Sequence, residues 1–318
     1  MPALYITEGE VRELLDIRTA LEAVEEAFRR LAAGEVDNVP RHRAQAPGIV
    51  LHTMSAAAAY CGMVGWKCYT TTRHSARFHV ALYDQHTGAM VALIEANRLG
   101  QMRTGAATGV AAQWMALPDA AELGLLGSGF QAETQLEAIA AVRPLKEVFV
   151  YSRDAQRRGA FADRMSQRLS LEVIPVDRPS EAVEDLPIVV TATNSSEPVL
   201  DGNWLAEGAF VAAIGSNWWH KAEIDVATIR RADRIVCDDI HACRHEAGDF
   251  RAALECGAFD WSMAVNLCDV VAGRHVGRPK SDSITLFKSV GLALEDIAVA
   301  ERLLHLARQR GLGQALPF

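Results

Sequence analysis

Residues 122–134, reading ELGLLGSGFQAET, constrain the fold of this chain more than any other stretch. A short apolar run, 123–126, meets Gly127-Ser128-Gly129-Phe130-Gln131-Ala132, and helix-forming residues continue through Leu136, Ile139 and Val142. That order predicts a strand, a tight turn and a helix. Gly127 permits a sharp turn off the strand, Gly129 carries no side chain to block a pyrophosphate, and Ala132 allows helix and strand to pack closely. The helix N-terminus would turn free N–H groups and the positive end of its dipole toward phosphates. A plain glycine turn is the alternative. However, a second apolar run at 147–151 follows at the spacing of a β-α-β unit, so the stretch reads as the start of a dinucleotide-binding half.

The residues after it alternate regularly. Strands are expected at 123–127, 147–151, 171–176, 188–192, 210–214 and 234–236, with helices or loops between them. Continuous apolar runs such as IVV at Ile188 and FVAAI at Phe210 suit a parallel sheet buried on both faces. The residues before it differ in kind. From Thr7 to Leu31 apolar residues recur at three and four positions, with Thr7 and Glu10 as a capping box and Gly34 as the stop. Residues 40–47, PRHRAQAP, are too broken for a core helix and stand where a strand could start. Strands at 49–54, 63–72, 78–83 and 90–96, joined by short turns, predict an antiparallel meander. An alanine- and glycine-rich helix at 100–117 ends at Pro118-Asp119, which marks a boundary. A last amphipathic helix, 291–310, lies beyond the α/β alternation.

The 318 residues, half of them hydrophobic, suffice for two domains with a sizeable core. A net charge of -8 argues against nucleic acid or an anionic membrane as partner, since both need a basic footprint. No apolar segment is long enough to span a bilayer. The six cysteines show no CxxC spacing and read as reduced packing residues, and the N-terminus lacks a secretory pattern, so a cytoplasmic location is expected. Metal is not expected: the ten histidines form no HExxH and no zinc-like pairing with cysteine. Neither a GxSxG elbow nor a P-loop occurs.

Several residues are placed to do chemistry. The second strand of the nucleotide half ends at Tyr151-Ser152-Arg153-Asp154, with Arg157 a turn further on. An acidic residue at that place would hold the ribose hydroxyls of NAD, whereas a small residue followed by arginine favours a 2′-phosphate. NADPH is therefore expected over NADH, although NADH is possible and Asp154 could still take the ribose role. Thr191-Ala192-Thr193-Asn194 and Gly215-Ser216-Asn217 follow strand ends and should face the cofactor, because open parallel sheets bind ligands beyond the carboxyl ends of their strands. The first region supplies cations: Arg41, Arg43, Lys67 and Arg103. Lys67 stands out within VGWKCYTTT, on a strand flanked by apolar residues, where it is either solvated or held in a pocket by an anion.

Taken together, GWKCYT at Gly65, RTGAATGVAA at Arg103, GSGFQA at Gly127, TATN at Thr191, KAEID at Lys221 and ITLFKSVGLALED at Ile284 resemble the ornithine cyclodeaminase/mu-crystallin family. The resemblance covers nearly the whole chain. It implies an α/β fold: a Rossmann-type doubly wound parallel sheet binding NAD(P), at 118–299, plus an α+β substrate-binding and dimerisation domain, at 1–117, to which the C-terminal helix, about 300–318, folds back. A homodimer is implied. So are Lys67 and Arg103 as ligands of a substrate carboxylate, with Arg41 as the third cation and Arg43 close enough to compete. Thr104, beside Arg103, joins the expected cofactor contacts.

The sequence departs from the family at one point. Cyclodeaminases carry an aspartate in the loop where this chain has Gly215-Ser216-Asn217-Trp218-Trp219-His220, so Asn217 replaces it. Asparagine is neutral and cannot serve as a general base, though it can orient an imine or a water. Reduction of an α-imino acid (ketimine) asks less: hydride reaches an electrophilic carbon while the carboxylate is clamped. The expected activity is therefore NAD(P)H-dependent reduction of a small imino acid to an amino acid, with Lys67 and Asn217 at the reacting centre. Ornithine cyclodeaminase activity is the first alternative, and an NADPH-binding protein without turnover the second.

Overall fold

The computed structural model describes residues 2–317, which divide into two compact units, 2–106 with 291–317, and Ala107–Val290.

The first unit is built on a mixed sheet. Its strands are β1 (Leu4–Ile6), β2 (Val36–Ala46), β3 (Ile49–Ala58), β4 (Met63–Thr72), β5 (Ala76–Asp84), β6 (Met90–Glu95) and a terminal pair of residues, Gln314–Ala315. From β3 to β6 they form the expected antiparallel meander, β2 extends it at the edge, and β1 adds to β6 in parallel. The broken stretch PRHRAQAP lies inside β2. It is tolerated because β2 is an edge strand, and because the register shifts between Val39 and His42, where Pro40 needs no ladder N–H.

The N-terminal helical stretch is two helices, α1 (Glu8–Leu14) and α2 (Ile17–Ala32). Thr7 and Glu10 form the capping box, and Asp16 restarts the chain by accepting from Thr19 N. Helix α3 (Asn97–Met115) begins three residues before the glycine expected to open it. The backbone N–H groups of Asn97 and Arg98 donate to the Glu8 carboxylate, a distant cap that no local pattern reveals. The helix is continuous across Ala106, so the division between units falls inside it, whereas the sequence suggests Pro118. The C-terminal helix (Ala293–Arg310) belongs wholly to the first unit, which takes up the chain again at Gly291 rather than near residue 300. It packs on α2, β3 and β4. Gly65 on β4 makes that approach possible, since a Cβ there would strike Ala81 and Ile297.

The second unit has eight parallel strands. Six lie where expected: β7 (Glu122–Leu126), β8 (Glu147–Tyr151), β9 (Glu172–Pro175), β10 (Ile188–Thr191), β11 (Phe210–Ala213) and β12 (Arg234–Cys237). Two more, β13 (Ala264–Asn266) and β14 (Thr285–Lys288), lie outside the expected set. The order β13-β12-β14-β11-β10-β7-β8-β9 reverses direction between β7 and β10, as in doubly wound sheets. Helices α4 (Phe130–Val142) and α5 (Ala155–Leu169) follow β7 and β8. Among the described residues no helix is long and apolar enough to cross a membrane.

Candidate active site

In the first unit, alternation along β4 turns Gly65, Lys67 and Tyr69 to the buried face. There Lys67 Nζ donates to Asp296 Oδ1 at 2.8 Å, with side-chain exposures of 2% and 0%. Arg103, on α3, binds Glu295 Oε2 through Nη1 at 2.6 Å and approaches Asp296 Oδ1 through Nε at 3.2 Å. Arg41, on β2, donates from Nη2 to the Gly291 carbonyl at 3.4 Å and is buried. Arg43 is half-buried and pairs across the ladder with His52. Glycines make room for these side chains. A Cβ on Gly100 would sit 3.2 Å from Lys67 Nζ, and Gly291, at φ +82°, lies directly against the Arg103 guanidinium.

Charge shapes this cluster. Three cations, Arg41, Lys67 and Arg103, gather with two carboxylates, Glu295 and Asp296, in a dry place. Burial lowers the Lys67 pKa to about 8, assisted by the neighbouring Arg103 and Arg41 and opposed by Asp296. Burial also drives the His52 pKa down to about 4, with Arg43 and Arg41 adding to the effect, so the ring is neutral where it stacks on Tyr69 at 4.2 Å. Glu295 and Asp296 do not stand out in any motif tied to chemistry. Their signal is an acidic pair inside the apolar run SVGLALEDIAVA, where burial demands a cationic partner.

In the second unit the glycine turn sits at the switch point of the sheet. Gly127, at φ +118°, donates its N–H to the Tyr151 carbonyl, and a Cβ on it would strike Ala192. Gly129 is the N-cap of α4 and faces open space on its Cβ side. Ala132 is buried, Phe130 is exposed, and Gln131 lies in the first turn beside them. This is a cradle that fits a pyrophosphate: an open glycine at a helix N-terminus of ordinary length. Ser128 Oγ donates to Ser152 Oγ at 2.8 Å, which joins the turn to the end of β8. Arg153 and Arg157 are exposed. Asp154 is occupied as the N-cap of α5, accepting from Arg157 N at 3.0 Å. Thr191 is fully buried. Thr193, Ala192 and Asn194 continue past β10, and Gly215, Ser216 and Asn217 past β11. Thr104 belongs to the first unit instead, where its hydroxyl donates to the Gly100 carbonyl at 2.7 Å. Among the described residues no group of three or more His, Cys, Asp or Glu is arranged to hold a metal ion.

The sequence profile of the ornithine cyclodeaminase/mu-crystallin family matches residues 3–310. A Δ1-pyrroline-2-carboxylate reductase of Bacillus cereus is 30% identical over 99% of this chain and 100% of its own length. The structure of Thermococcus litoralis Δ1-pyrroline-2-carboxylate reductase in complex with NADH and L-proline superposes with a TM-score of 0.95 at 31% identity, covering 98% of this chain and 100% of that one. An archaeal alanine dehydrogenase dimer with bound NAD superposes at 0.94, with 30% identity and full coverage of both chains.

Proposed function

This chain belongs to the ornithine cyclodeaminase/mu-crystallin family, and from that membership and the charge arrangement of its first unit we infer an NAD(P)H-dependent oxidoreductase that reduces an α-imino acid to an amino acid. The observation that carries the reading is the buried gathering of Arg41, Lys67 and Arg103, a set of cationic donors suited to a carboxylate.

In the mechanism we propose, Arg103 and Lys67, with Arg41 rather than Arg43, hold the substrate carboxylate. Arg103 is already oriented by Glu295, and its planar fork suits bidentate contact. A dinucleotide held by its pyrophosphate in the glycine cradle would supply the hydride that the imine carbon accepts. The nitrogen needs one proton. Lys67, with its pKa of about 8 and its hydrogen bond to Asp296, is the group placed to give one near neutral pH. Asn217 orients the nitrogen by hydrogen bonding without acting as a base. Gly127, Ser128, Gly129, Phe130, Gln131 and Ala132 take the pyrophosphate, and Ser152, Arg153 and Arg157 take a 2′-phosphate, which makes NADPH the preferred cofactor.

We also propose a homodimer formed through the outer face of the first unit's sheet. Leu51 and Val64 are exposed there, beside a cavity of about 350 Å³ lined by Val39, Thr53, Ser55 and Trp66. The test of the activity is direct. Purified protein with reduced cofactor and Δ1-pyrroline-2-carboxylate, or another α-imino acid, should oxidise the cofactor and yield the amino acid. Failure across a panel of cyclic and linear imino acids would overturn the reading. L-ornithine with NAD should give no proline or ammonia, because Asn217 lacks a carboxylate.

A further inference from the structure

A second buried charged network lies in the Ala107–Val290 unit, beneath the loops that follow β10 and β11. Glu223, Asp249 and Lys288 are all buried. The Glu223 carboxylate takes three hydrogen bonds from the two loops: Thr193 N at 2.6 Å on Oε1, and Gly215 N at 2.5 Å with Thr191 Oγ1 at 3.0 Å on Oε2. Gly215 has no room for a side chain, since a Cβ would fall on that carboxylate and on the Thr193 carbonyl. Glu223 is itself held from behind. Its N–H donates to Asp249 Oδ1 at 2.7 Å, Asp249 pairs with Lys288 at 2.7 Å, and Lys288 Nζ donates to the Ser216 carbonyl at 2.8 Å.

We propose that Glu223 is a positioning residue for the cofactor: one carboxylate, braced by Asp249 and Lys288, fixes both strand-end loops in the register that the nicotinamide half requires. The inference rests on the cofactor assignment above. Its physical basis is that a carboxylate is the one side chain that presents two acceptor oxygens to two backbone donors at once. Glutamine has the same shape, but it turns an N–H₂ toward one of those N–H groups. One loop would then lose its anchor and be pushed away, while the other kept its bond.

The experiment is E223Q, with E223D beside it, in the full-length protein. Cofactor binding is read by NADH fluorescence titration, and amide hydrogen exchange is followed at the two loops. For E223Q the Kd and KM for NADH should rise about tenfold or more, with kcat at saturating NADH and the imino acid KM within about twofold of wild type. Exchange should speed up at one of the two amides, Thr193 or Gly215, and not across the rest of the sheet. E223D, which restores two acceptors on a shorter arm, should recover part of the affinity. Unchanged NADH affinity in E223Q, or a fall in kcat with no change in the cofactor KM, would overturn the proposal. If E223Q does not fold, E223D decides: its shorter arm cannot reach both amides as closely, so weaker NADH binding with kcat at saturating NADH near wild type supports the role, and unaltered binding refutes it. A wild-type protein that binds neither NADH nor NADPH fails the cofactor assignment itself, a result distinct from any of these.

Discussion

Lys67 on β4 and Asp296 on the C-terminal helix, 229 residues apart in sequence, share a 2.8 Å hydrogen bond from which solvent is almost wholly excluded. This pairing ties the lysine's proton to the helix that closes the first unit. It also sets two opposite pH dependences.

Activity that uses protonated Lys67 should fall as pH rises through about 8, so kcat/KM for the imino acid should show a basic limb there. Stability should move the other way. The folded protein releases the Lys67 proton near 8 while the unfolded chain keeps it up to the ordinary lysine value of 10.5, so between those pH values the unfolded state binds more protons and this group adds to stability as pH rises. K67M should abolish the limb, lower kcat/KM by about 10²-fold or more, and leave cofactor affinity unchanged. In D296N the limb should move below 8, because Asp296 raises the lysine pKa, and the buried cation deprived of its partner should cost roughly 3–5 kcal/mol of stability. A limb that stays at the same pH in D296N would sink the assignment.

Gly291 is where two demands meet. Its φ of +82° is the left-handed region, and its α-carbon faces the Arg103 guanidinium at a separation no Cβ could share. Alanine there should cost about 1–2 kcal/mol from the backbone alone. It should also displace Arg103 from Glu295, raising the imino acid KM by roughly tenfold for each 1.4 kcal/mol by which carboxylate binding weakens. Thermal melting and substrate kinetics on G291A check both parts. Wild-type KM in a destabilised variant would show that Arg103 does not hold substrate.

The parts of this molecule legible in its sequence are those with local causes. The glycine turn at Gly127 and Gly129 announces itself because φ and bulk constrain each position, and the meander from β3 to β6 does so through alternation and short turns. What the sequence hides is long-range. Glu8 caps α3 from about ninety residues away, and β13 is too short, at three residues, to show a period. The candidate site divides in the same way. Lys67 and Arg103 stand out as cations in apolar or small-residue settings. Glu295 and Asp296, which orient them, show only as an acidic pair in an apolar run, and neither they nor Glu223, which braces the two loops, reveal their partners until packing buries them. Thr104 adds a bond that its motif does not reveal, since its hydroxyl is spent on the Gly100 carbonyl of its own helix.

Oligomeric state offers a test independent of chemistry. Val64 and Leu51 present apolar side chains on the outer face of the meander, where a two-fold interface would set each against its own copy's surface. V64D places a carboxylate in that face on both copies. Sedimentation should then show a dimer in the wild type and a monomer in the variant, with NADH affinity retained. A wild type that sediments as a monomer at micromolar concentration rules the dimer out.

Cofactor choice turns on the end of β8. Ser152 is held by Ser128 Oγ at 2.8 Å, and Arg158 fixes its carbonyl at 2.8 Å while pairing with Asp177, so the backbone at this corner is well anchored. Asp154, the acid that follows, is turned onto the α5 N-terminus. It caps Arg157 N and lies 3.5 Å from the Arg157 side chain, which spends its carboxylate within the loop rather than on a ribose. Arg153 and Arg157 stay exposed at the rim and would lose little on meeting a phosphate. Wild-type kcat/KM should therefore favour NADPH. S152D should reverse the preference by about 10²-fold, since a carboxylate there would accept from both ribose hydroxyls and repel a 2′-phosphate across a short, partly dry distance. Steady-state kinetics with both cofactors settles it, and a wild-type ratio favouring NADH would mean that Asp154 gives up its cap to bind the ribose.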